Sequence, residues 1–301
     1  MRASAEVAPP DHADEPNRWR FAEGDAITPG RYALKLLGGG TRYEAYLAHD
    51  DTLLSMVVVK ILRPDRVDDE RTLQPLIDEY AAVRALDHPS IVRAFDAILN
   101  GRRPHIVLEF LDGPRLSTLI RKYGRLPLEQ SIPLAVQLSS ALHYMHSKRM
   151  VHLDVKPSNV IMGAPPRLID LSIARSFEDA TNLRVPVGTD AYMAPEQCEL
   201  DPSTPVGPAA DVWGLGVTLY QAVTGRLPFP KMSPGERHPQ LDMDPVPLDD
   251  DIPSGVVELI DRSLRRDPDE RPTARQLAQS LEPLVAALPR RPVLSRLRPR
   301  L

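Results

Sequence analysis

The hydrophobic pattern of the chain changes its period near residue 113. Before that point, short apolar runs bounded by turn residues are typical of strands; they cover 32–37, 43–48, 56–62, 91–99 and 105–110, with a helix-patterned segment at 71–86 between them. After it, helical spacing prevails, as in 126–147, and 207–224 is apolar nearly all round, which places that helix inside a core. We therefore predict an α+β protein of two lobes, with a boundary near residues 111–114.

Composition divides the chain into four regions. Residues 1–28 are rich in Ala, Pro, Asp and Glu and lack hydrophobic periodicity, so we predict a disordered tail. The sheet-rich lobe covers 29–112 and the helix-rich lobe covers 113–289. The last stretch, 290–301, holds five Arg and two Pro. We interpret it as a solvated tail in preference to a membrane-surface or partner-docking segment, because it carries no lipidation signal.

The overall charge narrows the classes of partner. A formal net charge of −4, with 42% hydrophobic and 26% charged residues, is ordinary for a globular protein and does not favour nucleic acid as a partner.

Cys198 is the only cysteine, so no intramolecular disulfide can form. No apolar run approaches the ~20 residues that a membrane-spanning helix needs. We expect a cytoplasmic protein without a transmembrane segment, and the sequence leaves its oligomeric state open.

Three consecutive glycines, Gly38–Gly40, lie between the first two predicted strands. Glycine lets backbone amides approach phosphate oxygens closely, although three glycines alone also suit an ordinary turn. Lys60 ends the third strand, where it would hold phosphates by charge if an acid kept it in place; otherwise it only marks the end of the strand. Glu79, on the predicted helix, is the candidate acid, and its alternative is a place on a solvated helical face.

The segment 152–159, HLDVKPSN, concentrates the residue types that phosphoryl transfer requires. That reaction needs a carboxylate to accept the proton of the attacking hydroxyl, a cation near the γ-phosphate and a metal ligand. Asp154, Lys156 and Asn159 supply these three groups. Asp170 follows eleven residues after Asn159, within the sequence IDLS, and offers a carboxylate suited to Mg²⁺.

Taken in order, these motifs resemble those of protein kinases. The sequence LGGGTRYEAYLA at 37–48 is similar to the glycine-rich loop GxGxxGxV, 152–159 to the catalytic loop HRDxKxxN, and IDLS to the DFG segment. The implied fold is the bilobal protein kinase-like fold. Its N-lobe is a small antiparallel β-sheet with one helix, and its C-lobe is larger and mostly helical.

Further matches extend the resemblance over about residues 30–288. The sequence GTDAYMAPE at 188–196 resembles the end of a kinase activation segment, DVWGLG at 211–216 the start of the central helix, and Arg271 the late arginine expected to pair with Glu196. Lys156, two residues after Asp154, and Thr189, in the sequence GTDAY, match the residues that Ser/Thr kinases have at these positions. Within that class the chain looks most like bacterial eukaryotic-type Ser/Thr kinases.

The resemblance implies a role for each matched residue, with ATP and Mg²⁺ as cofactors and Mn²⁺ as an alternative metal. Asp154 is implied as catalytic base, Lys156 as the stabiliser of transferring charge, and Asn159 and Asp170 as metal ligands. Adenine is implied to bind backbone groups near Glu109 and Leu111, with Leu108 at the back of the pocket. The other implied nucleotide-binding residues are Leu37, Gly38, Gly39, Gly40, Ala45, Val58, Lys60 and Glu79.

Four departures limit what the resemblance carries over. Leu153 replaces the Arg of HRD, which in the family pairs with a phosphorylated activation loop, so phosphorylation should matter less here. Leu171-Ser172 replaces Phe-Gly, which should make an outward flip of Asp170 rarer. Tyr43 replaces the third loop glycine and weakens the case for phosphate binding at that end. Ala45 stands where the family usually has Val, and Val58 stands where it commonly has Ala. This exchange conserves volume, so we predict an adenine pocket that is kept but lined by different side chains.

The sequence thus predicts a Ser/Thr protein kinase that transfers the ATP γ-phosphate to protein Ser or Thr hydroxyls without gating by an HRD arginine. The alternative is a pseudokinase, an ATP-binding scaffold or signalling module, which the altered motifs favour and the retained acidic and basic residues oppose. A small-molecule phosphotransferase is disfavoured by the Ala-Pro-Glu segment that ends at Glu196.

Overall fold

The computed structural model describes residues 17–231, 233 and 236–288. The predicted basic segment 290–301 and residues 1–16 of the predicted tail lie outside the described residues. Of the described residues, 17–84 and 93–110 form one compact unit, and 85–92 together with those from 111 onward form a second. The two units are the sheet-rich and helix-rich lobes that the hydrophobic pattern predicts.

The first unit is built on a six-stranded antiparallel sheet in the order β1–β2–β3–β4–β6–β5. Helix α1 belongs to the same unit. Just before this helix, the Asp69 carboxylate accepts hydrogen bonds from the Arg71 backbone N–H (3.0 Å) and the Thr72 hydroxyl (3.0 Å). The elements are β1 (Ala26–Thr28), β2 (Arg31–Gly39), β3 (Tyr43–Asp50), β4 (Ser55–Leu62), α1 (Glu70–Arg84), β5 (Ala94–Ile98) and β6 (His105–Glu109).

The core of this unit lies on one face of the sheet, because buried and half-buried residues alternate along β3 and β4. The buried cluster there comprises Ile27, Ala33, Tyr46, Ala48, Val57, Val59, Ile61 and Val107. Positions between these core residues, among them Ala45, Val58 and Lys60, point to the other face. The alternation therefore separates core residues from those that the resemblance assigns to the nucleotide.

The first unit begins earlier than predicted, before residue 29. The Trp19 indole N–H donates to the Leu62 carbonyl (2.6 Å), and the Trp19 and Phe21 rings stack with centroids 5.7 Å apart. The Phe21 ring also meets Tyr46 edge-on at 5.3 Å, next to the core. Two aromatic side chains thus supply the apolar surface that holds residues 17–28, although composition and periodicity indicated a tail.

The second unit is mostly helical. Its helices are α2 (Leu116–Tyr123), α3 (Leu128–Ser147), α4 (Phe177–Thr181), α5 (Pro195–Cys198), α6 (Pro208–Thr224), α7 (Ser254–Ser263) and α8 (Ala274–Ala287). Two-residue strands form two small antiparallel pairs: β7 (Met150–Val151) with β10 (Arg175–Ser176), and β8 (Val160–Ile161) with β9 (Arg167–Leu168). Helix α6 is buried from Ala210 through Tyr220, as its apolar sequence predicts. In the described residues, no helix is both long and apolar enough to cross a membrane.

Residues 85–92 precede β5 in the chain but belong to the second unit. The His88 ring stacks on Tyr144 of α3 at 5.3 Å, and the Ser90 hydroxyl donates to Gln137 of the same helix (2.9 Å). The Val92 backbone N–H donates to the Leu168 carbonyl (3.0 Å). The predicted N-lobe, 29–112, therefore contains a segment whose partners lie in the helical unit.

The predicted pairing of Glu196 with Arg271 is confirmed. The guanidinium donates two parallel hydrogen bonds, of 2.7 and 2.8 Å, to the carboxylate, and both side chains are at most 1% exposed. The same guanidinium lies over the Trp213 ring, 4.9 Å from its centroid. The guanidinium also donates to the Ala209 carbonyl (3.1 Å), so Arg271 links α5, through the bidentate pair, to α6 within the second unit.

Candidate active site

The glycine segment forms the tip of a hairpin between β2 and β3. Gly39 pairs with Glu44 across the strands, and the Gly40 backbone N–H donates to the Tyr43 carbonyl (2.9 Å). A Cβ on Gly39 would lie 2.9 Å from that carbonyl oxygen, so the turn closes only around a residue without a side chain. Gly38–Gly40 and Leu37 are exposed, which leaves their backbone open on the hairpin.

Tyr43, in the place of the third glycine, ties this hairpin to α1. Its hydroxyl donates to the Thr72 carbonyl (3.2 Å), and its ring lies 5.1 Å from the Lys60 ammonium. An aromatic face at that distance attracts a cation. The departure from the glycine motif is therefore a specific contact of the first unit.

Lys60 and Glu79 form the predicted ion pair. The ammonium donates to both carboxylate oxygens, at 2.8 and 2.7 Å, joining β4 to α1. The Glu79 side chain is 1% exposed and that of Lys60 is 15% exposed. Glu79 thus lies in the interior of the first unit, and the alternative of a solvated helical face is wrong.

The predicted adenine-contacting side chains share the face of the sheet that carries Lys60. Ala45 pairs with Lys60, and Val58 pairs with Leu108 on the adjacent strand, so all four lie on one side of the sheet. Ala45 and Val58 are diagonal neighbours on that face, as the proposed exchange of Val and Ala requires.

The two residues whose backbone groups are implied to bind adenine, Glu109 and Leu111, fall in different units. Glu109 ends β6 in the first unit, and its backbone N–H donates to the Arg93 carbonyl (2.9 Å). Leu111 starts the second stretch of the second unit and lies in no helix or strand.

In the second unit, three side chains converge on Asp154: Lys156 and Asn159 of the catalytic loop, and Thr189. The Thr189 hydroxyl donates to Oδ1 (2.7 Å), and the Lys156 ammonium donates to Oδ2 (2.6 Å) and to the Thr189 oxygen (2.5 Å). The Asn159 amide donates to Oδ2 and to the Asp154 carbonyl, both at 3.0 Å. The carboxylate is consequently fixed by three donors while its side chain stays 12% exposed.

The backbone of this loop is hydrogen-bonded to Asp211, a buried residue in the first turn of α6. Its carboxylate accepts from the backbone N–H of His152 (2.9 Å) and of Leu153 (2.7 Å), and from the His146 ring (2.9 Å). Leu153 has φ of +64°, a left-handed conformation that costs a residue with a side chain about 1–2 kcal/mol. The two backbone hydrogen bonds to a buried carboxylate hold it there.

Asp170 lies next to the catalytic loop within the same unit. The Ile169 backbone N–H donates to the Asn159 carbonyl (2.9 Å), which brings the residue before Asp170 to the backbone of Asn159. Asp170 has φ of +65°, and Leu171 behind it is 1% exposed. The structure thus brings Asp154, Lys156, Asn159 and Asp170 into one region.

Burial also changes the chemistry of two side chains beside this region. Burial raises the pKa of the Tyr192 hydroxyl to about 12, with the charge of Asp154 adding to the shift and a hydrogen bond to Gln221 (2.6 Å) opposing it. Burial likewise raises the pKa of the Cys198 thiol to about 12, against a hydrogen bond from Gln240. Both groups therefore stay neutral at physiological pH.

Sequence motifs alone missed several residues that hold the site. Asp211 and Thr189 were recognised only as a structural position and a class marker, yet both contact the catalytic loop directly. Gln197 enters only as the last residue of APEQ (194–197), a sequence that resembles bacterial Ser/Thr kinases, and Gln240 has no motif signal. An acid inside an otherwise apolar helix was the one available clue for Asp211, since such a group needs buried partners.

The fold and this arrangement of motifs define a protein kinase domain, and comparison with known proteins agrees. The protein kinase domain family matches residues 32–281. Serine/threonine-protein kinase PkaA of Streptomyces coelicolor is 35% identical over 233 residues, covering 75% of this chain and 42% of that protein. PknB of Mycobacterium leprae is 34% identical over 228 residues (72% and 36%), and PknA of Mycobacterium tuberculosis is 31% identical over 252 residues (79% and 57%).

The chain therefore belongs to the protein kinase family and is homologous to bacterial serine/threonine protein kinases, which are ATP-binding transferases. It spans 36% to 57% of the length of these three relatives.

Proposed function

We propose that this chain is an active Ser/Thr protein kinase domain that transfers the γ-phosphoryl group of ATP to a Ser or Thr hydroxyl of a protein. The observation that supports this most strongly is the set of hydrogen bonds that Thr189, Lys156 and Asn159 donate to Asp154. A scaffold that only binds nucleotide has no need to orient this carboxylate.

In the proposed reaction, Asp154 is the catalytic base. The acceptor hydroxyl oxygen attacks the γ-phosphorus, its proton passes to the Asp154 carboxylate, and the bond from the γ-phosphorus to the bridging oxygen breaks to release ADP. Lys156, 2.6 Å from the base, places a positive charge where the transferred group carries negative charge. Thr189 and Lys156 together prevent the carboxylate from rotating away from the acceptor.

In the first unit, the proposed role of Lys60 is to hold ATP phosphates. Its ammonium is held by a carboxylate that is 1% exposed, so the charge is positioned before nucleotide arrives. The exposed segment Gly38–Gly40 has no side chains, so phosphate oxygens can approach its backbone closely. The face formed by half-buried Ala45 and Val58 and by buried Leu108 offers the apolar surface that an adenine ring requires.

Asn159 and Asp170 would hold Mg²⁺, or Mn²⁺ in its place. Mg²⁺ prefers oxygen ligands and keeps several from water and substrate phosphates, so two protein side chains suffice. The donor set fits this requirement, because Asn159 directs its amide nitrogen to Asp154, and its amide oxygen and the Asp170 carboxylate are both oxygen ligands. When bound, the metal would neutralise phosphate charge.

We further propose that transfer does not depend on an activation-loop phosphate read by the HRD position. Leu153 stands there with its side chain 3% exposed and its backbone N–H bound to Asp211. A buried aliphatic side chain cannot pair with a phosphate.

The acceptor class can be tested with radiolabelled ATP, Mg²⁺ and peptides that differ only in carrying Ser, Thr or Tyr. We expect label on Ser and Thr peptides, and a 10- to 100-fold lower rate for Thr189→Val, about the effect of losing a hydrogen bond to a charged group. Thr204→Val, elsewhere in the second unit, is the matched control and should keep the wild-type rate. Label on Tyr alone, or equal rates for both variants, would contradict the proposal.

A further inference from the structure

Gln197 uses its whole amide group to join the catalytic loop to the segment 187–193. It is 1% exposed, and its side-chain nitrogen donates to the Leu153 carbonyl and to the Val187 carbonyl, both at 3.0 Å. Its side-chain oxygen accepts from the Ala194 backbone N–H (3.1 Å). Three backbone groups, two of them in fully buried hydrogen bonds, are thereby satisfied by one neutral side chain.

Gln240 holds the other end of the same segment. It is 2% exposed and lies in the short 3-10 helix Pro239–Leu241. Its side-chain nitrogen donates to the carbonyls of Asp190 (2.8 Å) and Met193 (3.0 Å) and lies 3.3 Å from the Cys198 sulfur. The two glutamines therefore fix the segment on both sides of Thr189.

The segment they hold is packed tightly on the catalytic loop. Gly188 has φ of +134°, and a Cβ there would lie 3.1 Å from the Leu153 carbonyl oxygen and 2.7 Å from the Met193 side chain. The next residue is Thr189, whose hydroxyl reaches Asp154 at 2.7 Å. A shift of this backbone would therefore move a donor of the proposed base.

We infer that Gln197 and Gln240 are positioning residues that hold the Thr189 segment against the catalytic loop by neutral hydrogen bonds. The inference deepens the proposed function and rests on it, because the two amides do the ordering that Leu153 cannot do through a phosphate. Their partners are backbone carbonyls, so the segment is held independently of its phosphorylation and of salt.

The kinetic test compares Gln197→Met and Gln240→Met, which keep side-chain length and lose the donors, with Gln137→Met as control. Gln137 bonds Ser90 in the same unit and does not touch the segment. We expect kcat/KM for the protein acceptor to fall about 10- to 100-fold in the first two variants, as small misplacements of reacting groups do. The KM for ATP should stay within about twofold of the control. General destabilisation would not lower kcat/KM for the acceptor while leaving the KM for ATP unchanged.

A second readout needs no catalysis and so separates failure of this inference from failure of the proposed function. Hydrogen exchange of amides 188–193 should accelerate at least tenfold in both Met variants, while exchange in α3 stays at the control rate. For Gln240→Met, the rate at which Cys198 is alkylated gives another test, because the two explanations change this rate in opposite directions. Cys198 is the only cysteine. Loss of the Gln240 hydrogen bond alone raises the thiol pKa and slows alkylation, whereas release of the segment exposes the thiol and speeds it.

Faster exchange at 188–193 with faster Cys198 alkylation would support the inference even if wild-type protein transferred no phosphate. Exchange at the control rate, or slower alkylation, would overturn it. In a catalytically active protein, an acceptor kcat/KM within twofold of Gln137→Met for both variants would overturn it as well.

Discussion

The Lys60–Glu79 pair allows stability and function to be separated by a double-mutant cycle. At 2.7 Å and an effective dielectric constant near 20, the two charges attract by about 6 kcal/mol, from which the cost of desolvating them must be subtracted. Lys60→Met removes the cation from a carboxylate that is 1% exposed, and breaking a buried pair in this way costs about 3–5 kcal/mol. The double variant Lys60→Met/Glu79→Met leaves no charge, so it should recover to within about 2 kcal/mol of wild type.

The chain offers a probe for each unit, since its two tryptophans are Trp19 and Trp213. In a Trp213→Phe background, urea unfolding followed by Trp19 fluorescence reports on the first unit alone. We expect Lys60→Met to be least stable and the double variant to be intermediate, with phosphoryl transfer lost in both. A loss below about 1 kcal/mol in Lys60→Met, or a double variant less stable than the single one, would refute the electrostatic reasoning.

Three further predictions concern the hairpin, the thiol and the activation loop. Tyr43→Phe should lower the unfolding free energy of the first unit by about 0.5–1.5 kcal/mol, because the hydrogen bond to Thr72 is lost. Tyr43→Gly should lower it by more, because the contact between the ring and the Lys60 ammonium is lost as well. Equal urea midpoints for the two variants and wild type, monitored by Trp19 fluorescence, would contradict this. Alkylation of Cys198 should rise about tenfold per pH unit from pH 7 to 10, because only thiolate reacts and its pKa is about 12; a plateau near pH 9 would refute that value. Thr181, exposed at the end of α4, is a candidate phosphorylation site of the activation segment; because Leu153 cannot pair with a phosphate, Thr181→Ala should change the transfer rate less than tenfold in a steady-state peptide assay, and a larger loss would restore a role for loop phosphorylation.

Local pattern was enough to predict much of this fold. Strand and helix periods predicted the sheet and the long helices, and the resemblance to protein kinases implied the Lys60–Glu79 and Glu196–Arg271 ion pairs, whose carboxylates are each 1% exposed in the structure. These pairs were predictable because the residues sit at fixed places in motifs whose order along the chain is itself informative.

Contacts between residues of ordinary type, distant in sequence, could not be predicted. Gln197 bonds a carbonyl 44 residues away, and the Asp211 carboxylate receives a backbone N–H 58 residues away. Backbone carbonyls have no sequence signature, so nothing local marks a glutamine as their partner. Trp19 was missed for a related reason, since its apolar contacts lie on a sheet that its own flanking residues do not encode.

The central claim is that the catalytic groups form a working site although the HRD arginine is replaced. Its most direct test measures transfer from labelled ATP in the presence of Mg²⁺ by wild-type protein beside Asp154→Asn, together with ATP affinity and unfolding. We predict that wild-type protein transfers phosphate and that Asp154→Asn lowers kcat by about 10²–10⁴-fold while the variant remains folded and binds ATP with unchanged affinity. ATP binding without transfer in the wild type would contradict the claim and indicate a scaffold, and retention of most activity by Asp154→Asn would contradict the role of the base.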